Sequence, residues 1–283
     1  GMELQRLYRE GRFTEGLMFF AGHDVLDICS WSDVRSFLGA NRIDVVINAA
    51  AYANVDQAEN DPKSAFAVNR DGVQVLARVC ADMGVYLVHV STDYVFDGRR
   101  DEPYTEAEAV APLGVYGASK RAGEEEMLRT SGLDGLIVRT AWLYSAFGKN
   151  FVKTMLRLGR ERQEVHVVAD QIGSPTWARD LAEALLVMIG SAYRSRRHGV
   201  EIYHYANEDQ CSWCEFAMAV MHMKQLSCLV NPIATSEYPT ICQRPAYSLL
   251  DKSKIKRVYG LYIPPWEASL EKMLQDPALG SGN

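Results

Sequence analysis

The sequence predicts an α/β protein built on a doubly wound parallel sheet. Three observations predict it. Short β-branched runs alternate with longer segments of helical period from Leu17 to about Ile189. The spacing of strand, helix and strand leaves room for right-handed crossovers, which give a parallel sheet covered on both faces. Polar residues gather directly after two of the strands, where ligands of open α/β sheets bind.

The elements follow in order. GMELQRLYREGRF carries Met2, Leu4, Leu7 and Tyr8 at helical spacing, so the chain opens with an amphipathic helix. Strands are expected at LMFF (17–20), DVVIN (44–48), VYLVHV (85–90), GLIVRT (135–140) and EVHVV (164–168). Between them SDVRSFLGA, the long segment from about Asp56 to Met83, PLGVYGASKRAGEEEMLRT and NFVKTMLRLGRER have helical period with polar faces. After about Gly190 the rhythm loosens: SAYRSRRHG is a basic connection, EIYHYAN is one more strand, and residues 227–265 are rich in Pro and Tyr without a clean period. The expected division is a nucleotide-binding core at 1–165, a mixed region at 166–276 that completes the sheet and forms a smaller substrate lobe, and a flexible tail at 277–283.

Composition narrows the function. A chain of 283 residues with 48% hydrophobic and 23% charged residues can bury a full core, and its net charge of -6 argues against a general nucleic-acid surface. No apolar run approaches the ~18 residues of a membrane span, LAEALLVMIG being the longest candidate. The start has no signal-peptide pattern, so the expected location is the cytoplasm. Six cysteines lack framework spacing, which fits a reducing compartment. CSWC (211–214) is a CxxC, but Ser212 and Glu215 form an S-x-x-E capping box that explains it as a helix start. The six histidines offer no second ligand pair for a metal.

The chemistry centres on VYGASK, where Tyr116 and Lys120 stand at i and i+4 on one helix face. A phenol with an ordinary pKa near ~10 is a poor acid–base catalyst at neutral pH, and a neighbouring cation is expected to lower it. A solvated helix face is the competing reading. Ser91, Thr92 and Asp93 sit at the carboxyl end of VYLVHV, where a Thr92 hydroxyl can hold a carbonyl while Tyr116 gives it a proton; a turn or helix cap explains STD equally well. Asn48 ends another strand and is followed by Ala49, Ala50 and Ala51, small enough for a flat ligand to reach the backbone or simply for close helix packing.

Together these stretches resemble the extended branch of the short-chain dehydrogenase/reductase superfamily, and within it the dTDP-4-dehydrorhamnose reductase family. NAAAY, VDQAE, the Asn69 of FAVNRDG, STDYVFDG, YGASK with AGE, RTAWLY, GKNFVKTML, DQIGSPT and RPAYSLLD carry the likeness, which runs from about residue 1 to 275. The resemblance implies Thr92, Tyr116 and Lys120 as the catalytic set. It also implies a dinucleotide cleft lined by Asp27, Ile28, Asn48, Ala49, Ala50, Tyr52, Ser91 and Lys120, and substrate contacts at Asp93, Trp142, Asn150 and Arg244. A strand-following Trp is often core, and Arg244 suits a pyrophosphate or a surface salt bridge. The implied reaction is NAD(P)H-dependent reduction of the 4-keto group of dTDP-4-dehydro-L-rhamnose to dTDP-L-rhamnose.

NADPH or NADH is the implied cofactor and Mg2+ a further candidate. AGHD (21–24) does not decide between NAD and NADP. A homodimer is compatible with the sequence, which leaves oligomeric state open. Related dehydratases carry an acidic residue where this chain has Tyr94, which favours simple carbonyl reduction over a 4,6-dehydratase or 4-epimerase.

In the resembled family the first helix follows a strand and a glycine-rich turn that hold the pyrophosphate. GMELQ looks like the end of that turn, and no GxxGxxG stands near the front. The expectation is a Rossmann-like sheet without its first strand and phosphate loop, from a start set at an internal methionine with Gly1 as a cloning remnant, or from natural loss. Weak dinucleotide binding and lowered stability are expected to follow. A chain of this kind also suits a non-catalytic role like that of the methionine adenosyltransferase β subunit, in which the complete Thr92, Tyr116 and Lys120 set would be idle.

Overall fold

A computed structural model describes residues 1–195 and 198–279. In chain order the main strands are β1 (Val45–Asn48), β2 (Tyr86–Thr92), β3 (Gly135–Thr140), β4 (Glu164–Val168), β5 (Val200–His204) and β6 (Leu229–Ile233). Four of them form one parallel sheet in the order β1-β2-β3-β5. Every residue of β3 is buried, as a central parallel strand covered on both faces requires. The period-2 alternation divides the side chains: Leu87 and Ile137 pack with Val34, Leu76 and Cys80 on one face, while Val88, Leu136 and Val138 pack with Leu185, Met188 and Tyr203 on the other.

The main helices are α1 (Met2–Arg9), α2 (Trp31–Asn41), α3 (Val73–Met83), α4 (Val115–Arg129), α5 (Phe151–Glu161), α6 (Ala178–Ser195), α7 (Trp213–Met223) and α8 (Trp266–Leu274). Helix α1 forms from the first residues, and its Leu4 and Leu7 are buried with Ala182 of α6. The capping box at Ser212 and Glu215 starts α7, and Cys211 and Cys214 are free buried thiols.

Several expected elements differ. Residues 17–20 form no strand: Leu17 and Phe19 are 78% and 47% exposed, and among the described residues nothing pairs the free edge of β1. Phe20 packs against Tyr8 of α1 instead. The segment 164–168 is a strand outside the central sheet; it pairs in parallel with Leu229–Ile233, which the irregular Pro-rich composition hid. These strands cover a second core of Tyr144, Val152, Leu156, Phe216, Trp266 and Leu270. The helix expected over 56–83 breaks into Val55–Asn60 and Pro62–Phe66, the latter continuing into α3 through a π turn at Ala67–Gly72. The basic connection is helical as far as Ser195, and residues 196–197 lie outside the described residues. In the tail, Pro277–Leu279 forms a single turn, and 280–283 lie outside the described residues.

A buried ion pair fixes α4 on the sheet. Glu124 accepts from Arg139 Nε at 2.8 Å and Nη2 at 2.7 Å, and from the Ser91 hydroxyl at 2.6 Å. Removing one partner strands the other charge in the core. Arg139→Met is therefore expected to cost about 3–5 kcal/mol, read as a lower urea midpoint with an unchanged slope. A double variant with Glu124→Leu should regain most of that loss.

Candidate active site

The site forms where β2 ends and α4 begins. Strand β2 runs straight into a 3-10 turn at Asp93–Val95, so Thr92 and Asp93 sit at its carboxyl end. The Thr92 hydroxyl donates to Asp93 Oδ1 at 3.1 Å and accepts from the Tyr94 amide at 3.2 Å, and it lies beside the Tyr116 phenol. Tyr94 and Tyr116 meet edge to face with ring centroids 5.6 Å apart. That approach needs Gly117, because a Cβ there would lie 2.2 Å from the Tyr94 carbonyl oxygen. The start of α4 is satisfied by Glu59, whose carboxylate accepts from the Val115 amide at 2.7 Å.

The protonation states depart from the sequence expectation. Burial raises the Tyr116 phenol above its ordinary value; the neighbouring Thr92 hydroxyl opposes this, and Asp93 and Tyr94 add to it. Lys120 does not lower it here. Its amine donates to the Val90 carbonyl at 2.7 Å and meets His89 Nε2 at 3.0 Å. Burial brings Lys120 down to about 8. Tyr116 is therefore a neutral phenol, a proton donor. Burial also pushes Asp93 up to about 6, with the Ser248 and Thr92 hydroxyls pulling the other way, and its Oδ2 has no hydrogen-bond partner.

On the expected cofactor side, Asn48 is buried and accepts from the Ala50 amide at 3.1 Å, while Ala49 and Ala50 are exposed. Asn69, on the π turn, accepts from the Tyr52 amide at 2.9 Å and donates to the Tyr52 carbonyl at 3.0 Å and to Ser119 at 2.9 Å. Ser119 in turn donates to the Tyr116 carbonyl, so the loop after β1 is tied to α4. Ile28 lies against Gly72, and Asp27 caps the turn beside it by accepting from the Cys29 amide. Alternation along β2 turns the Ser91 hydroxyl to Glu124, away from the group at Thr92.

The expected substrate residues are already engaged. Arg244 donates to Asp56 Oδ2 at 2.8 Å and to the Tyr94 hydroxyl at 3.1 Å. Asn150 caps α5 by accepting from the Lys153 amide, and its side-chain amide donates to the Ser145 and Phe147 carbonyls. Trp142 stacks on Trp213 at 3.6 Å and covers Gly173, with backbone φ of 47°. Sequence reasoning missed His89, whose signal was a lone imidazole inside an apolar strand. It also gave no role to Ser119, Glu124 or Arg139. Among the described residues no three His, Cys, Asp or Glu side chains gather as a metal site, which gives the Mg2+ expectation no support.

Residues 1–278 match the family described as the RmlD substrate binding domain. A dTDP-4-dehydrorhamnose reductase from Sinorhizobium fredii is 40% identical over 260 residues, covering 89% of this chain and 87% of the relative. The crystal structure of a dTDP-4-dehydrorhamnose reductase from Clostridium acetobutylicum superposes with a TM-score of 0.90 at 34% identity, over 97% of this chain and 94% of the other. A Bacillus anthracis dTDP-4-dehydrorhamnose reductase in complex with NADP does so with a TM-score of 0.87 at 38% identity, over 97% and 94%. None of these relatives lends support to the regulatory-subunit reading.

The raised pKa of Asp93 carries a pH signature. The folded state prefers the neutral carboxyl, so this group's contribution is fully present below the ordinary 3.8 and is lost as pH rises towards about 6. At about 1.4 kcal/mol per unit, the loss is roughly 3 kcal/mol. Urea unfolding across that window should show wild type losing stability relative to Asp93→Asn, and parallel curves would contradict the assignment.

Proposed function

The chain belongs to the RmlD substrate binding domain family, and from that membership we propose that it is an NAD(P)H-dependent reductase that converts the 4-keto group of dTDP-4-dehydro-L-rhamnose to the alcohol of dTDP-L-rhamnose. The observation that carries the reading is the Thr92 hydroxyl standing beside a neutral Tyr116 phenol at the carboxyl end of β2, one helical turn from Lys120.

The residues fit a dinucleotide. The exposed small side chains of Ala49 and Ala50 leave the backbone after β1 open to a flat ring, and Asn48 and Tyr52 flank it. Asp27 and Ile28 suit the adenine end. When bound, the reduced nicotinamide supplies the hydride that the carbonyl carbon takes up. NADPH is the favoured form, since the B. anthracis relative was solved with NADP.

Thr92 orients the substrate carbonyl by donating to its oxygen, which requires its hydroxyl to leave Asp93. Tyr116 gives its phenolic proton to the same oxygen as the carbon is reduced. Lys120, once turned from β2 towards Tyr116 as an ammonium, favours the phenolate that remains. Arg244 exchanges Asp56 for the diphosphate, whose oxygens its guanidinium can fork. In this reading residues 1–165 carry the dinucleotide together with Asp93, Trp142 and Asn150, and 166–276 complete the sheet and bring Arg244 to the sugar-nucleotide side.

Tyr116→Phe keeps the ring contact with Tyr94 and removes only the proton donor. The rate of NADPH oxidation with dTDP-4-dehydrorhamnose should fall about 10²–10⁴-fold with little change in KM. A variant within a few-fold of wild type would exclude Tyr116 as the acid.

A further inference from the structure

One buried cluster keeps all of its hydrogen bonds only while Lys120 is neutral, and charging Lys120 breaks one of them. Asn48 on β1, His89 on β2 and Lys120 on α4 are 4%, 0% and 1% exposed. The Ala50 amide donates to Asn48 Oδ1 at 3.1 Å, Asn48 Nδ2 meets His89 Nδ1 at 3.1 Å, and His89 Nε2 meets Lys120 Nζ at 3.0 Å. Lys120 also donates to the Val90 carbonyl at 2.7 Å.

Donors and acceptors can be counted along this chain. An amide nitrogen and an ammonium only donate, and a neutral imidazole donates at one nitrogen and accepts at the other. The Ala50 N–H fixes Asn48 Oδ1 as an acceptor, so Nδ2 donates and His89 Nδ1 accepts. The ring proton then sits on Nε2 and points at Lys120, which accepts it only as a neutral amine. If Lys120 is an ammonium, it donates to Nε2 and the ring proton moves to Nδ1. Asn48 must then present its oxygen to the ring and its NH2 to the Ala50 N–H, and the Ala50 amide loses its acceptor.

We propose that Asn48 and His89 are positioning residues that form a tautomer relay, coupling the charge on Lys120 to the backbone amide of Ala50. With Lys120 neutral, the loop after β1 is tied back to Asn48. With Lys120 charged, the Ala50 N–H is released to donate to an acceptor on a ligand in the cleft, and the cation that favours a Tyr116 phenolate is present at the same moment. The coupling rests on the reading of Lys120 as part of the catalytic set.

The surroundings permit both states. Burial, with Lys120 as neighbour, holds the His89 imidazole uncharged, so a proton shift changes its tautomer and leaves its charge alone. Burial lowers Lys120 to about 8, and Glu124 one turn on opposes it. The titratable groups facing Lys120 are His89 from β2 and Glu124 on its own helix, the latter already paired with Arg139 and Arg121; Asn48 from β1 is neutral.

The test is nitrogen NMR of the His89 ring in the full chain, assigned by the signal lost in His89→Gln. Between about pH 6 and about pH 10, wild type should pass from the Nδ1–H to the Nε2–H tautomer without an imidazolium. Asn48→Asp, which only accepts, should hold Nδ1–H throughout. In this variant the alkaline limb of kcat/KM should move up by about one pH unit or more, whereas a merely structural role would lower the rate evenly at all pH. A single tautomer across the range in wild type, or a switch that survives in Asn48→Asp, would overturn the relay. Absence of sugar-nucleotide turnover with the switch intact would instead overturn the reading of the reaction.

Discussion

A helix that must deliver a phenol and an amine to one cleft has to be fixed in rotation as well as in position. In this protein that constraint falls on the bidentate pair of Glu124 and Arg139, which ties the middle of α4 to β3 and, through Ser91, to β2. Two glycines make the fit possible. A Cβ at Gly123 would lie 2.1 Å from the Asn69 carbonyl oxygen, and one at Gly117 would meet the Tyr94 carbonyl. The helix can thus lie directly on the π turn on one side and on the turn after β2 on the other. A buried charge pair gains little net stability over an apolar one, but it has one geometry, and one geometry is what a shared cleft needs.

The sequence carried much of this, and what it missed has physical causes. The β-branched runs of β2 and β3 and the i, i+4 spacing of Tyr116 and Lys120 depend on local period alone, so they were legible. LMFF reads as a strand by composition, yet a strand exists only with a partner, and residues 17–20 pair with none among the described residues. The reverse holds for Leu229–Ile233, where a proline and an asparagine hide a strand that exists because β4 lies beside it. The π turn at Ala67–Gly72 was invisible because it arises from tertiary fit, at the place where Asn69 must reach the Tyr52 backbone.

At the site, residue types were legible and hydrogen-bond partners were not. Spacing puts Lys120 on the face of Tyr116, but the length of a lysine side chain lets its amine choose among several acceptors. It reaches the Val90 carbonyl and His89, because a buried amine must satisfy its hydrogen bonds within the protein. Arg244 and Asn150 show the same limit. Each is engaged by a carboxylate or by backbone carbonyls, so a ligand that uses them has to replace existing bonds.

The direction of the chemistry follows from these same burials. A phenolate at Tyr116 would suit the oxidation of an alcohol, which begins by removing a proton. Here burial, Asp93 and Tyr94 together favour the neutral phenol, while the Thr92 hydroxyl beside it opposes them. A neutral phenol is the form that a reductase needs, because an alkoxide forming at the carbonyl oxygen must be met by a proton. The cost is that the phenolate left behind is poorly stabilised until a positive charge stands near it. In this structure Lys120 can supply that charge after rearranging, since its amine is bound to β2. Proton donation and the charging of Lys120 are thus parts of one equilibrium, and the buried chain from Lys120 to Ala50 places that equilibrium where a bound ligand can influence it.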